Sequence, residues 1–569
     1  MRTLLPSLND HSLAMLRGIA ELRGVDLTTN VRSDAAAQLA AQLAEPAVTE
    51  TALASCSPAA LDAWRGLAAA GGRMKTPVFT RRFGVIRPVG PGKLEREQLW
   101  RSPDSPVEEL WYRGLIFRAF ADLGEGPAEY IYIPDDLLPP PAPSTPAATA
   151  PRPPSLAPTQ PPARVRQTFN TLAVDLCGLL AAIRETPPRV DRAGQLQPAD
   201  RERLQDGLLI QDAARFVLMI TLARERGWLT TAGGRLTVEA AASTAWLRTM
   251  PWEGISALFV AWRDSTDLAA GGSGWNDLRH IPALQVEGVW RNDPLLARRA
   301  ILGLLHGLPA DDWYAIADLV AWVKVANPDF QRPDGNYTGW YLRERASDRY
   351  LSGFESWDDV EGRLVAFLIQ GPLFWLGAVA LGLAEDGQIT SFQLTPFGAA
   401  WLAGTTPPEL PRPARLTVAD DFSISAPLWL PLLDRFRLLR FTEPVPGRHE
   451  LGEPTRHRIT RGSLARARAS GVKAEAILGF LQRATGGHVP ARVAAGLARW
   501  DQHGGAVRIS RGAVLRVEDA STLAALRGDP VIAPLLGDLL SAQAVLVSDA
   551  DLPRLLKALE ELGYTARVE

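Results

Sequence analysis

Apolar residues recur at three- and four-residue spacing in SLAMLRGIAELRGVDL, RSDAAAQLAAQLAE and SPAALDAWRGLAAAGG, which predicts three amphipathic helices before residue 73. VEELWYRGLIFRAFADL continues the helical period as a fourth, and EYIYIP after it alternates like a strand. Beyond residue 163 the same period returns in VRQTFNTLAVDLCGLLAAIRE, DRERLQDGLLIQDAARFVLMITLARERG and DPLLARRAILGLLHGL. Strand-like alternation is confined to short pieces between them. The pattern predicts a mainly α protein with α+β modules.

One local arrangement recurs: strand, turn, strand, then a helix led by threonine. It occurs in GWLTTAGGRLTVEAAASTAWL, in LGAVALGLAEDGQITSFQLTPFGAAWL and in FRLLRFTEPVPGRHELGEPTRHRITRGSLARARASG. Thr237, Thr395 and Thr460 each follow an apolar residue, and a hydroxyl there can accept from an otherwise unpaired N–H of the first helical turn. A helical segment followed by such a hairpin predicts winged-helix-like units over residues 164–260 and 290–405, the third hairpin belonging to another domain.

Between the helical regions, LPPPAPSTPAATAPRPPSLAPTQPPA replaces periodicity with Pro, Ala, Ser and Thr. It cannot bury apolar area, so residues 138–163 are expected to be a disordered linker of extended polyproline character. The expected organisation is then an N-terminal helical, winged-helix-like module at 1–137, the linker, the two units, and a C-terminal domain at 414–569. Its terminal strand-helix-strand would be AVLVSDADLPRLLKALEELGYTARVE. LVAFLIQGPLFWLGAVALGLA is long and uncharged enough to suggest a membrane span. Gly371-Pro372 interrupts it and its second half reads as a hairpin, so no membrane association is expected.

Composition changes this picture little. The chain has 569 residues, 46% of them hydrophobic and 22% charged, with a formal net charge of −2, so attraction to nucleic acid must come from local patches. Cys56 and Cys177 stand far apart in apolar helical contexts, which fits a reducing, cytoplasmic compartment. The stretch MRTLLPSLNDHS lacks a sustained apolar core and is not expected to act as a secretory signal. The seven histidines form no metal-ligand spacing, and no metal or cofactor is expected.

From Leu416 the stretches LTVADDFSISAP, LLDRFRLLRFTEP, RHRITRGSLARARASG, KAEAILGFLQRATGGHVPARVAAGLARWDQHGGAVRISRGAVLRVED and DPVIAPLLGDLL follow one another. This succession resembles the N-terminal domain of XPB-type helicases, which implies a C-terminal α/β domain of that kind. FGVIRPVGPGKLEREQ, SPVEELWYRGLIFRAF, NPDFQRP and SWDDVEGRLVAFLIQGPLFWLG are similar to bacterial proteins described as helicase-associated. That resemblance implies a non-motor companion in DNA metabolism.

A helicase motor needs a phosphate-cradling G-x-x-x-x-G-K-[ST] loop. In VGPGKLE the first glycine is replaced by Arg87 and the magnesium-binding hydroxyl by Leu94, so Lys93 reads as a turn residue. No serine elbow or acidic metal box stands in a convincing context, and Asp358, Asp359 and Glu361 read as helix-capping acids. The chain is therefore expected not to be an enzyme, with no catalytic residue assigned.

The candidate nucleic-acid contacts are basic and aromatic. Between Pro411 and Trp500 basic residues outnumber acidic ones roughly two to one. Arg456 and Arg458 share a face of a predicted strand, and Arg461 and Arg468 share a face of the helix after it. Arg73, Lys75, Arg81 and Arg82 form a second basic cluster. Tyr337, Trp340, Arg343 and Arg345 occupy a polar loop where rings and guanidiniums suit base stacking, whereas Trp228, Trp246, Trp375 and Trp401 read as core. The expected function is a non-catalytic DNA-binding accessory protein, contacting single-stranded, forked or duplex DNA through winged-helix and arginine-rich surfaces. The alternative is a scaffold that docks a separate helicase or nuclease subunit.

Overall fold

A computed structural model describes residues 2–122, 127–138, 156–268, 274–407, 409–446, 450–503 and 511–568. The described residues group into two compact units. One comprises Met1–Arg415, Ala426–Leu439 and Val445–Thr455, and the other Leu416–Ser425, Arg440–Pro444 and Arg456–Glu569. The architecture is multidomain α+β, mostly helical with small antiparallel sheets.

Within the first unit one chain order occurs three times. The first copy runs α1 (Pro58–Ala69), β1 (Arg73–Lys75), α2 (Thr76–Phe83), α3 (Pro106–Tyr112) and the hairpin β2 (Phe117–Asp122) and β3 (Pro127–Tyr132). β1 pairs with β3, not β2, giving the order β1-β3-β2. The helix expected over 107–123 therefore ends at Tyr112. Phe117, Arg118 and Ala119 pair with Tyr132, Ile131 and Tyr130 instead, because the aromatic and β-branched run gains more from pairing than from the helical period.

Strand β4 (Arg164–Arg166) leads into the second copy, which has α4 (Thr171–Glu185), α5 (Pro198–Asp206), α6 (Ala213–Glu225) and the hairpin β5 (Leu229–Ala232) and β6 (Arg235–Val238). Its first strand is reduced to one bridge, Arg189 to Arg235 on β6. The third has α8 (Pro294–His306), β7 (Tyr314–Ala315), α9 (Ile316–Ala326), α10 (Arg363–Leu368) and the hairpin β8 (Val379–Leu383) and β9 (Ile389–Leu394), with α7 (Pro251–Asp264) before it and α11 (Pro396–Leu402) after it. Here β7 pairs with β9, again the second hairpin strand. In all three the short strand after the first helix joins the far side of the hairpin.

Of the expected linker, 139–155 lies outside the described residues. Residues 156–163 are not a free spacer: Leu156 is buried, Thr159 N donates to Trp313 O at 2.7 Å, and the chain continues into β4, which adds to β8. Thr395 caps α11 by accepting from Gly398 N at 3.0 Å, as the sequence predicts. Thr237 does not cap a helix. It lies in β6, where its hydroxyl meets Thr230 Oγ1 at 3.2 Å, and the next helix starts at Ala240.

The apolar stretch at 364–384 is broken where Gly371 leaves helical geometry (φ −102°, ψ −106°) ahead of Pro372, whose ring removes a donor. Among the described residues no helix is long and apolar enough to cross a membrane. Helix α12 (Leu432–Leu438) packs on α4, with Cys177 Sγ 3.5 Å from Leu432 O and Asn170 Nδ2 donating to Leu428 O at 3.1 Å.

Toward the C-terminus, β10 (Thr417–Val418), β11 (Ser423–Ala426), β12 (Glu443–Pro444) and β13 (Thr455–Arg458) form a sheet in the order β10-β11-β13-β12. Helices α13 (Arg461–Ala469), α14 (Ala474–Thr485) and α15 (Ala491–His503) follow. A last sheet of β14 (Ala513–Arg516), β15 (Leu539–Ser541) and β16 (Ala544–Val547) packs with α16 (Ala520–Gly528) and α17 (Leu552–Glu561) around Leu526, Val547, Leu555 and Leu559. The expected final strand after α17 is not formed.

Candidate functional site

In β13 Thr455 and His457 are buried while Arg456 and Arg458 are exposed, so strand alternation puts both arginines on one outer face. Two residues later α13 begins at the predicted place. Thr460 Oγ1 accepts from Ser463 N at 3.0 Å, and Ser463 Oγ accepts from Thr460 N at 2.9 Å. Arg461 and Arg468 are exposed on one helical face. Arg458 pairs with Asp421 at 3.2 Å and Arg466 with Glu443 at 2.8 Å. Among the described residues, Arg456, Arg461 and Arg468 make no ion pair.

The turn between β10 and β11 ties this junction to α15. Phe422 sits at its tip with φ 67°, a left-handed backbone that a bulky residue rarely adopts. Its carbonyl accepts from Ile459 N at 3.0 Å, just before α13, and the neighbouring Asp421 holds Arg458. Its ring stacks on Trp500 at 4.7 Å with 27° between planes. A Cβ at Gly496 would fall 2.5 Å from Phe422 Cζ, so the glycine makes the seat on α15.

Arg492, Gly496, Arg499 and Trp500 are spaced to fall on one helical stripe, so Phe422 seats between two further arginines. Both are exposed, and among the described residues neither is ion-paired. Five free guanidiniums thus lie on three elements joined through Phe422. The sequence reading missed Arg492, Arg499 and Phe422. The seven-residue spacing was visible, but its meaning depends on a ring about seventy positions earlier in the chain.

The other candidates are placed differently. Arg81 pairs with Asp329 and lies 5.0 Å over both the Tyr337 and Phe354 rings. Tyr337 is buried, its hydroxyl donating to Pro328 O and Asp329 Oδ1, each at 2.8 Å. Burial and the nearby Asp329 carboxylate hold its phenol well above the usual range. Trp340 is stacked on Trp290 and covered by Arg332 at 3.7 Å. Arg343 pairs with Glu287 and Asp348, and Arg345 donates to Pro282 O and Leu284 O. The loop's rings and guanidiniums are therefore engaged by neighbouring segments at 282–290 and 328–332 and by its own Asp348. Arg73 and Lys75 form β1, with Arg73 exposed, and Arg82 lies over Phe83.

In a helix-turn-helix the last helix enters the major groove. Here α3 has no basic residue and begins with Glu108 and Glu109. On α6 Arg215 is buried against Asp175 at 2.6 Å, and Arg224 donates to Gly194 O at 2.6 Å. On α10 Arg363 pairs with Glu344 at 2.6 Å and Asp359 at 3.0 Å. Among the described residues, none of these third helices offers a free cation.

The acids considered for metal are likewise engaged. Asp358 pairs with Lys324, Asp359 with Arg349, and buried Glu361 with Arg332 at 2.6 Å. Among the described residues no group of three or more His, Cys, Asp or Glu is placed to hold a metal ion.

Residues 416–541 match the family described as the helicase conserved C-terminal domain, under a quarter of the chain. No curated protein matches. The match supports a helicase-associated protein, and a helicase domain points to interaction with nucleic acid. It also corrects one expectation. The chain was expected not to be an enzyme, but it carries a domain of a family whose members are usually enzymes.

Proposed function

We propose that the helicase-matched region binds nucleic acid through its phosphates, with Arg456, Arg461, Arg468, Arg492 and Arg499 as the contact cations. The carrying observation is that these exposed guanidiniums have no ion pair among the described residues and lie on elements joined through the Phe422 turn. Several arginines elsewhere, such as Arg215, Arg298, Arg332 and Arg363, are instead neutralised by carboxylates. A free guanidinium on a strand end or helix start suits phosphate, which it meets with charge and a planar fork of donors. Such contacts position a protein without selecting a sequence.

The three helix-strand-helix-helix-hairpin copies of residues 58–394 have the order of winged-helix domains, and we read them as protein-docking scaffold. The lack of a free cation on each third helix favours that role over groove reading.

The test is anisotropy of labelled DNA with the full chain across a salt series, comparing wild type with Arg456→Gln/Arg461→Gln. Wild type should bind with a steep salt dependence, and the double variant should flatten the log-log slope by about 1.4 to 1.8, two phosphate contacts at roughly 0.7 to 0.9 each. Absence of binding at low salt, or an unchanged slope, defeats the proposal.

A further inference from the structure

Phe422 occupies a turn position where glycine or asparagine would be unstrained. A left-handed backbone at such a residue is strained. The ring is nevertheless directed onto α15, where Gly496 clears its seat and Trp500 stacks against it. Both rings stay partly exposed. Arg492 and Arg499 lie about 10 Å apart along the helix axis, one on each side of that seat. A partly open aromatic pair flanked by free guanidiniums offers a π-face between phosphate-binding groups. Bases inside a duplex are already stacked on their neighbours, so only an unpaired base can use such a face.

We infer that the Phe422–Trp500 pair is a base-stacking platform, so that this surface takes single-stranded nucleic acid in preference to duplex. The inference rests on the phosphate-contact reading and adds the strand form to it. The same arginines would hold the backbone while the rings hold a base. The preference is for single strands of any sequence, since every base has a π-face.

The test uses the full chain with a short single-stranded DNA carrying one fluorescent adenine analogue whose emission falls on stacking, and with the matching duplex. Wild type is expected to quench the single strand and bind it more tightly than the duplex. Phe422→Leu should weaken single-strand binding about 5- to 150-fold, the equivalent of one lost stack, and so abolish most of the preference for single strand over duplex. Phe422→Tyr should restore it, which separates ring chemistry from folding. Equal affinity for the two forms, or no quench, overturns the stacking inference, and if the Arg456→Gln/Arg461→Gln effect persists the phosphate reading stands. Binding to neither form overturns both.

Discussion

The charge cluster at α7 and α8 gives a prediction whose size follows from its contacts. Arg298 is 1% exposed and Asp277 2% exposed. Arg298 Nε donates to Asp277 Oδ2 at 2.6 Å, Nη1 to Trp262 O at 2.7 Å and to Ser265 O, and Nη2 to Trp275 O at 2.8 Å. The other carboxylate oxygen of Asp277 accepts from Trp262 Nε1 at 3.1 Å and Trp275 Nε1 at 2.7 Å. Replacing Arg298 with Met leaves a buried carboxylate without its cation and three carbonyls without their donor. Removing one partner of a buried pair costs about 3–5 kcal/mol, and stranded acceptors add to that without summing. A value near 4 kcal/mol raises local amide exchange about a thousandfold, at about 1.36 kcal/mol per decade. Hydrogen-deuterium exchange over 258–302 is the right assay, because a multidomain chain has no single unfolding free energy. Arg298→Met/Asp277→Asn should recover about 1–3 kcal/mol of the loss, since the amide still accepts from the indoles and no buried charge remains. An exchange increase below tenfold in Arg298→Met, or a double variant no better than the single, refutes the reasoning.

Two further outcomes follow from buried groups. Burial between Trp111 and Phe117 pulls His11 down to about 4, so the unfolded chain binds its proton more tightly. Stability from this group is complete above pH 6.5 and is lost as pH falls toward 4, by about 3 kcal/mol, and His11→Phe should abolish that loss in the exchange of helix Leu13–Arg23. In α11 a Cβ at Gly398 would overlap the Ala378 carbonyl oxygen, so Gly398→Ala should destabilise the β8–β9 region by about 1–3 kcal/mol, and unaltered amide exchange across β8 and β9 would contradict the assigned packing.

What the sequence disclosed was local chemistry. The Thr395 and Thr460 caps depend on residues within a turn of them, and the exposed face of Arg456 and Arg458 on strand period alone. Helices α1, α4 and α6 follow their apolar spacing. Relations between distant segments were hidden. The repeated chain order rests on first strands of two or three residues, or on the single Arg189 bridge, too short for any alternation to be seen. Residues 156–163 looked like spacer by composition, yet Thr159 bridges to Trp313 and the chain runs directly into β4, which pairs with β8. Tyr337 and Trp340 sit among polar neighbours, but Asp329, Trp290 and Arg332 enclose them. Thr237 had the right flanks for a cap and was claimed by its cross-strand partner.

Helix α12 completes the cover of α4, but it is encoded about 250 residues downstream. At a synthesis rate of about 5–20 residues per second, the face of α4 around Cys177 waits roughly 12 to 50 seconds for Leu432–Leu438 to emerge from the ribosome. The first unit therefore cannot finish folding until Leu432–Leu438 has been made, and a nascent chain stopped at residue 415 would present an apolar surface to chaperones.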